Sequence, residues 1–367
     1  MEIVVRELRA VRDKHADERR TEIIDESGEF RIEDLIADED MAITVTNTGY
    51  IKRTAITSYR NQRRGGKGRI GMRTREEDFL THLFVASAHA YIMIFTDRGR
   101  AYWLRVHEIP DVGPDGRGKA IANLVTLDPG ERIAALLAVR EWPAEAGQQF
   151  IVMGTRKGVI KKTDLSAFSN PRAGGIIAMG VLEPDAVIAV AMTDGNEEIF
   201  IGTRDGMAIR FREADVRPMG RTAYGVRGIS LRGDDEVVAM EVVRPGGTLL
   251  TVAENGYGKR TELDEYRVQT RGGIGIINIQ TSDRNGRVVG VAYVNDDDEV
   301  MVISQQGKIL RMVTRDIRTI GRATQGVRLI EIEPDDRVVS VARLAEREED
   351  DREGAEPNGS PEDEGRA

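Results

Sequence analysis

The chain contains no cysteine, and its 367 residues include only two tryptophans and four histidines. Without thiols there is neither a disulfide framework nor a thiolate metal site. His15, His82, His89 and His107 are dispersed, with no second histidine or carboxylate at ligand spacing, so the pattern gives no imidazole metal centre. Long apolar runs are also missing: none approaches the roughly 18 residues that a membrane-spanning helix needs. The charged amino end is unlike a secretory signal. These absences lead to the expectation of a soluble, cytoplasmic chain with no membrane partner and no metal of its own.

Glycine, by contrast, is abundant and periodic. Six times a Gly-centred turn sits between two apolar-rich runs and is followed by a basic residue, as in Thr48-Gly49-Tyr50-Ile51-Lys52, Lys157-Gly158-Val159-Ile160-Lys161 and Asn255-Gly256-Tyr257-Gly258-Lys259. The turn glycines at 49, 99, 158, 206, 256 and 307 recur at intervals of 50, 59, 48, 50 and 51 residues. A second series, Gly68, Gly118, Gly175, Gly225, Gly273 and Gly326, follows each turn by 19, 19, 17, 19, 17 and 19 residues. Between copies, acidic turns lead into Val/Ile-rich strands, as in Asp234-Asp235-Glu236-Val237-Val238. A period near 50 residues with about four short strands per unit is the signature of propeller blades, since one blade cannot bury its own faces and needs neighbours. The expected fold is all-β: a six-bladed β-propeller or β-pinwheel over residues 41–344. A helix is expected over Glu2–Arg20, where Ile3, Val4, Leu8 and Val11 share one face, within a leading segment 1–40. Residues 336–344 repeat only the strand that opens a unit and are expected to complete the first blade, closing the circle.

Charge is placed as unevenly as glycine is placed regularly. The net charge is −9, but residues 1–40 hold 7 basic and 14 acidic side chains and residues 345–367 hold 3 and 10, which leaves 43 basic and 38 acidic in 41–344. The repeated body is basic and both ends are acidic. The last segment, 345–367, is too polar and charged to bury a core, so a disordered acidic tail is expected there.

Within the body, the stretch from Tyr50 to Arg75 carries Lys52, Arg53, Arg60, Arg63, Arg64, Lys67, Arg69, Arg73 and Arg75 and no acid. Inside it lies Gln62-Arg63-Arg64-Gly65-Gly66-Lys67-Gly68, which occurs in the first unit alone. Glycines let backbone N–H groups approach an anion, and arginines neutralise it, so phosphate is the expected ligand. Further cations fall at matched places in successive units: Arg117 and Lys119, Arg172, Arg221 and Arg227, Arg271, and Arg322 and Arg328. Together with Lys52, Arg53 and Arg69 they are expected to form a periodic basic rim that meets the backbone of a curved duplex. Other motifs read as structure. Gly66-Lys67-Gly68 and Gly273-Ile274-Gly275 do not join a strand to a helix as nucleotide loops do. Asp234-Asp235-Glu236 and Asp296-Asp297-Asp298-Glu299 lack the alternation of a calcium loop and are expected to be exposed turns. Tyr59 is the tyrosine nearest a basic cluster but has no carboxylate beside it; Tyr91, Tyr102, Tyr257 and Tyr293 are expected to pack.

The seven-residue box, the six units and the acidic tail together resemble the C-terminal domain of DNA gyrase A. Similarity extends to Arg19-Arg20-Thr21-Glu22-Ile23, Glu76-Glu77-Asp78-Phe79, Gly256-Tyr257-Gly258-Lys259-Arg260-Thr261 and Gly321-Arg322-Ala323-Thr324-Gln325-Gly326-Val327. The resemblance implies a six-bladed β-pinwheel that wraps double-stranded DNA around its rim, so that strand passage produces negative supercoils. It implies the gyrase A breakage-reunion domain and gyrase B as partners, and an association with the nucleoid. ATP would be used on gyrase B and Mg2+ at the cleavage site, with no cofactor in this chain. The breakage-reunion half, with its nucleophilic tyrosine, does not precede the repeats here. The chain is therefore expected to be non-catalytic on its own, and to be a domain, a truncated product or one piece of a split gene, with 1–40 as the end of the core and its linker. Three other readings stay open: the corresponding C-terminal domain of topoisomerase IV, against which the intact box argues; a protein-interaction propeller, whose usual Trp-Asp signatures find only Trp103 and Trp142 here; and an enzymatic propeller with a central metal or quinone site, which the missing His and acid constellations disfavour.

Overall fold

The computed structural model describes residues 2–17, 35–46, 48–55, 80–112, 116–143, 145–306 and 308–343. The chain divides into a unit ending at Ala37 and a second beginning at Asp38. In the first, the helix Glu2–His15 buries none of its residues. It is shorter than the sequence pattern suggested, and Arg20 lies outside the described residues.

The second unit is six consecutive antiparallel sheets, the blades of a β-propeller. In blade four the hairpin Glu198–Thr203 and Met207–Arg212 is flanked on one side by the inner strand Val237–Val243 and on the other by the two-residue edge strand Ile276–Ile277. The edge strand comes from the following repeat. The same exchange gives Lys119–Ala120 to blade one, Ile176–Ile177 to blade two, Val226–Arg227 to blade three and Val327–Arg328 to blade five. Among the described residues each repeat from the second to the sixth holds four strands, but it lends the fourth to its predecessor across a strap of chain laid over that blade's outer edge.

The inner strands Ile133–Val139, Val187–Thr193, Val237–Val243, Val288–Val294 and Val338–Arg343 pack side by side from one blade to the next. Val338–Arg343 pairs with Glu299–Ser304 and so completes the sixth blade, not the first; the first takes its inner strand from its own repeat, Leu80–Ser87. The expectation that 336–344 finishes blade one is thus corrected. A strand of the same repeat is always nearer in sequence, and its pairing closes a shorter loop.

Five of the six hairpins are closed by the same local chemistry, and the fifth in chain order has Ala253 in its place. A Thr or Ser precedes the turn, and its hydroxyl oxygen accepts the N–H four residues on, as in Thr155 Oγ1 with Val159 N at 3.1 Å and Thr203 Oγ1 with Met207 N at 3.1 Å. Gly206 then takes a φ of +88°, and a Cβ there would lie 2.3 Å from the Ile279 carbonyl oxygen of the strap, so the turn demands glycine twice over. The apolar core lies between blades. Met93 and Phe95 of blade two meet Ile151 and Met153 of blade three, with Phe168 edge-on to Phe95 at 6.0 Å. Phe200 of blade four meets Leu249 of blade five and Tyr266, whose ring is 5.1 Å away. Strands such as Phe150–Thr155 are buried along their whole length, which is why they read as continuous apolar runs instead of alternating ones.

The acidic turns are also part of this frame. Asp235 is buried, and its carboxylate accepts N–H groups from Asp205 and Glu236 at 2.9 and 2.8 Å. Asp185 and Asp336 do the same with Lys157 and Gln306 of the preceding hairpin turns. Asp298, also buried, accepts the Asn295 N–H at 2.8 Å. The clusters 234–236 and 296–299 are therefore corrected from exposed turns to turns with one buried, N–H-binding carboxylate each.

Candidate nucleic-acid interface

The straps are the surface on which most sequence-predicted cations fall. After its hairpin, each repeat from the second to the sixth makes a short 3-10 turn, runs alongside the second hairpin strand of the preceding blade, and pairs with that strand's start. Single bridges mark the parallel run, Lys162 with Pro218, Arg210 with Val268 and Arg260 with Thr319. The edge strand then pairs antiparallel, for example Met207 with Ile277 and Tyr257 with Arg328. A glycine of positive φ precedes each edge strand. Over blade four it is Gly275, with φ +75° and a hypothetical Cβ 2.2 Å from the Ala208 carbonyl oxygen. Gly273, the residue expected in that role, has no atom nearer than 3.7 Å to such a Cβ. Gly275 restores the 19-residue offset from Gly256, so the structural repeat is more regular than the glycine spacing alone implied.

The predicted rim residues divide into three groups. Lys119, Arg172, Arg227 and Arg328 are exposed on the straps. Of these, Arg328 also reaches Tyr257 Oη at 3.4 Å and Glu331 at 3.8 Å. A second group spends its guanidinium on neighbouring backbone. Arg271 donates from Nη1 to the Arg227 carbonyl at 3.1 Å and from Nε to Asp215 O at 2.9 Å. Arg322 donates to the Ile277 carbonyl at 3.0 Å, so each of these two arginines fastens its strap to the previous one. Arg53 donates to Ile109 O at 2.8 Å, and Arg117 stacks over Tyr50 with 3.9 Å from guanidinium carbon to ring centroid. Arg221 is half-buried, and its carbonyl accepts a bond from Lys161. Lys52 forms the third group by itself. Its side chain is fully buried, and it is withdrawn from the solvent-facing rim, because the inward face of a hairpin strand covered by a strap has no route to phosphate. Gln62, Arg63, Arg64, Gly65, Gly66, Lys67, Gly68 and Arg69 lie outside the described residues, as does the segment 345–367.

Three further cations complete the surface. Arg217, Arg267 and Arg318 each lie one residue before the strap residue that bridges to the preceding blade. All three are exposed, and none has a side-chain partner among the described residues. They stand 11 residues after the turn glycines 206, 256 and 307, so the period already contained them, but away from the second glycine series beside which the other cations were found. The straps thus offer Arg217, Arg227, Arg267, Arg318 and Arg328 in register over three successive blades. Such an array suits a polyanion whose charges are evenly spaced. Among the described residues no group of three or more His, Asp or Glu could hold a metal ion.

Comparison with known proteins fits this architecture blade by blade. The family described as DNA gyrase C-terminal domain, beta-propeller, matches residues 40–87, 90–140, 149–194, 197–244, 247–295 and 298–345. The DNA gyrase A protein of Salmonella typhimurium is 45% identical over 351 residues, a match that covers 96% of this chain and 40% of that protein. Its counterpart in Streptomyces coelicolor is 41% identical, covering 94% and 41%. The chain therefore spans about 40% of the length of these relatives. Among solved structures, the C-terminal domain of DNA topoisomerase IV superposes with a TM-score of 0.74 at 27% identity, covering 84% of this chain and 94% of that one. A DNA gyrase A C-terminal domain gives 0.66 at 25% identity, covering 84% and 100%. The six matched segments are the six blades seen here, and the chain belongs to the family of DNA gyrase C-terminal domains.

Proposed function

We propose that this chain binds double-stranded DNA with little sequence preference, wraps it along the strap surface, and thereby gives a gyrase its ability to introduce negative supercoils. The observation that carries the reading is the register of Arg217, Arg227, Arg267, Arg318 and Arg328 on successive straps, free of carboxylate partners except for Glu331 beside Arg328. Side chains that touch phosphate carry no base information, so binding is sequence-tolerant. Bending a duplex, whose persistence length is about 150 bp, costs several kcal/mol, and multiple phosphate contacts offset that cost. Gln62, Arg63, Arg64 and Lys67, with Gly65, Gly66 and Gly68, hold one end of the wrap, and Arg69 lies beside them. The partners are the gyrase A breakage-reunion domain and gyrase B, on the nucleoid in the cytoplasm. Cleavage with Mg2+ and ATP turnover belong to those partners, and this chain takes no cofactor.

Replacing Gln62 to Gly68 with alanine tests the reading. Duplex affinity should be largely kept, because the straps retain their cations, whereas gyrase reconstituted with the variant should relax DNA and no longer supercoil it negatively. Normal supercoiling by the variant would reduce the box to a basic loop. The superposition on topoisomerase IV, with the higher TM-score of 0.74, favours a second reading as that enzyme's C-terminal domain. Under it the domain guides DNA without completing a wrap, and the same alanine variant leaves activity unaltered.

A further inference from the structure

The straps carry apolar side chains in places where the body otherwise hides them. Beyond the amino-terminal unit, the exposed large apolar residues include Ile177 (48% exposed), Tyr224 (57%), Val268 (42%), Ile274 (46%) and Ile277 (42%), all on straps. Their placement follows the repeat. The second residue of the edge strand is Ile177 over blade two, Arg227 over blade three, Ile277 over blade four and Arg328 over blade five, and all four are exposed. Over blades two to five equivalent sites thus alternate between an uncharged β-branched chain and a guanidinium, and blade one carries Ala120 there. Two residues before the edge strand, Tyr224 and Ile274 occupy equivalent sites on adjacent straps. Tyr224 is seated, not adrift: a Cβ on Gly180 of the preceding strap would lie 2.8 Å from its ring, and Gly180 N–H donates to the Ala223 carbonyl at 3.0 Å.

An isoleucine left half in water between arginines is unfavourable in the free protein by the apolar area it exposes. That area becomes useful against a ligand that is anionic on both sides of a narrow apolar trough. The minor groove of B-form DNA has this character: it is about 6 Å wide, walled by deoxyribose and bordered by two phosphate rows. We propose that Ile177, Ile277, Tyr224 and Ile274 pack against the sugar walls of the inward-facing minor groove, while Arg227 and Arg328 hold the phosphates on either side. This rests on the duplex-binding reading above and adds to it a salt-independent component of affinity. Ion release accounts for the arginines, and burial of uncharged surface accounts for the isoleucines, so the two are separable by salt.

The test compares the whole chain with an Ile177→Thr/Ile277→Thr variant and an Arg227→Ser/Arg328→Ser variant, using a random-sequence linear duplex at several salt concentrations. Threonine keeps the β-branch that suits an edge strand, and an unchanged melting temperature checks the fold. The threonine pair should bind about fivefold more weakly at every salt concentration, with the slope of log K against log salt unaltered. The serine pair should lower the magnitude of that slope by about 0.9 for each phosphate no longer neutralised. Wild-type affinity in the threonine pair, or a slope reduced as much as by the serine pair, overturns the inference. Absence of any salt-dependent binding by the unaltered chain would instead overturn the duplex-binding reading itself.

Discussion

The second strands of the hairpins and the straps that cross them both carry lysine and arginine, and several of each are used in opposite ways. On the hairpin strands Lys52, Lys161, Lys162, Lys259 and Arg260 are all buried. Lys161 Nζ donates to the Ala178 carbonyl at 2.6 Å and to that of Arg221, and so pins two successive straps. Lys162 lies 3.5 Å from buried Glu213, and Arg260 bonds Asp296 at 2.6 Å. On the straps Lys119, Arg172, Arg217, Arg227, Arg267 and Arg318 point to water. A net charge counts both sets alike. Only the second can release counterions from DNA, while the first holds the surface that carries the second.

That division is broken most strongly from the inside. Lys161→Ala leaves two strap carbonyls without a donor and a hole where a four-carbon stem was packed. Unsatisfied buried groups cost about 1–3 kcal/mol each, so a loss near 3 kcal/mol is expected in denaturant or thermal unfolding. Its partner experiment is Arg227→Ser, for which stability should stay within about 0.5 kcal/mol while the salt slope of DNA binding falls. If Lys161→Ala instead spared stability and reduced the slope, the two classes would be wrongly drawn.

A glycine exchange sharpens the comparison by moving the strap as a whole. Gly275→Ala forces a Cβ against the Ala208 carbonyl at positive φ and should cost about 2 kcal/mol, weakening DNA binding at the same time because the strap shifts. Gly273→Ala, two residues away with no neighbour nearer than 3.7 Å to the added Cβ, should leave unfolding midpoint and affinity near those of the parent. Equal effects at both positions would contradict the assignment of Gly275 as the close-approach residue.

The remaining test is in pH. Burial pushes the ammonium of Lys161 from 10.5 down to about 7, with Arg221 adding repulsion; Lys259 is likewise pushed from 10.5 to about 7 by burial and then by Arg322. Between about 7 and 10.5 the unfolded chain keeps protons that the folded chain has released. Unfolding therefore takes up protons, and stability should rise with pH across that window, by at most about 1.4 kcal/mol per pH unit for each lysine. A neutral amine still has two N–H groups, enough for the two carbonyls that Lys161 serves. Lys161→Met should flatten the rise in urea titrations run at successive pH values. A slope as steep in the variant as in the parent would remove Lys161 from the account.

Much of this was legible in the sequence because it is written in residues with few alternatives. Glycines at a fixed period marked the turns and the strap crossings, since a positive φ beneath a passing carbonyl admits little else. The partner of each strand was less legible. The edge strands contribute two residues each, too short to show a period, and their pairing with the previous blade is a long-range choice. The blade that takes the final strand is hidden from the sequence for the same reason.

The sequence by itself determined the number of blades, the all-β class and the family, because each repeat carries its own turn chemistry and its own apolar runs. It also put cations at equivalent places in each repeat. Which of those cations meet water was decided by the tertiary structure. Lys52 and Arg53 are neighbours in sequence with similar chemistry, but a β-strand turns successive side chains to opposite faces, and the strap arriving from the next repeat covers one of those faces. Burial under a segment far along the chain is what separates Lys52, closed off from solvent, from Arg53, half-buried with its guanidinium bonded to the Ile109 carbonyl of that segment.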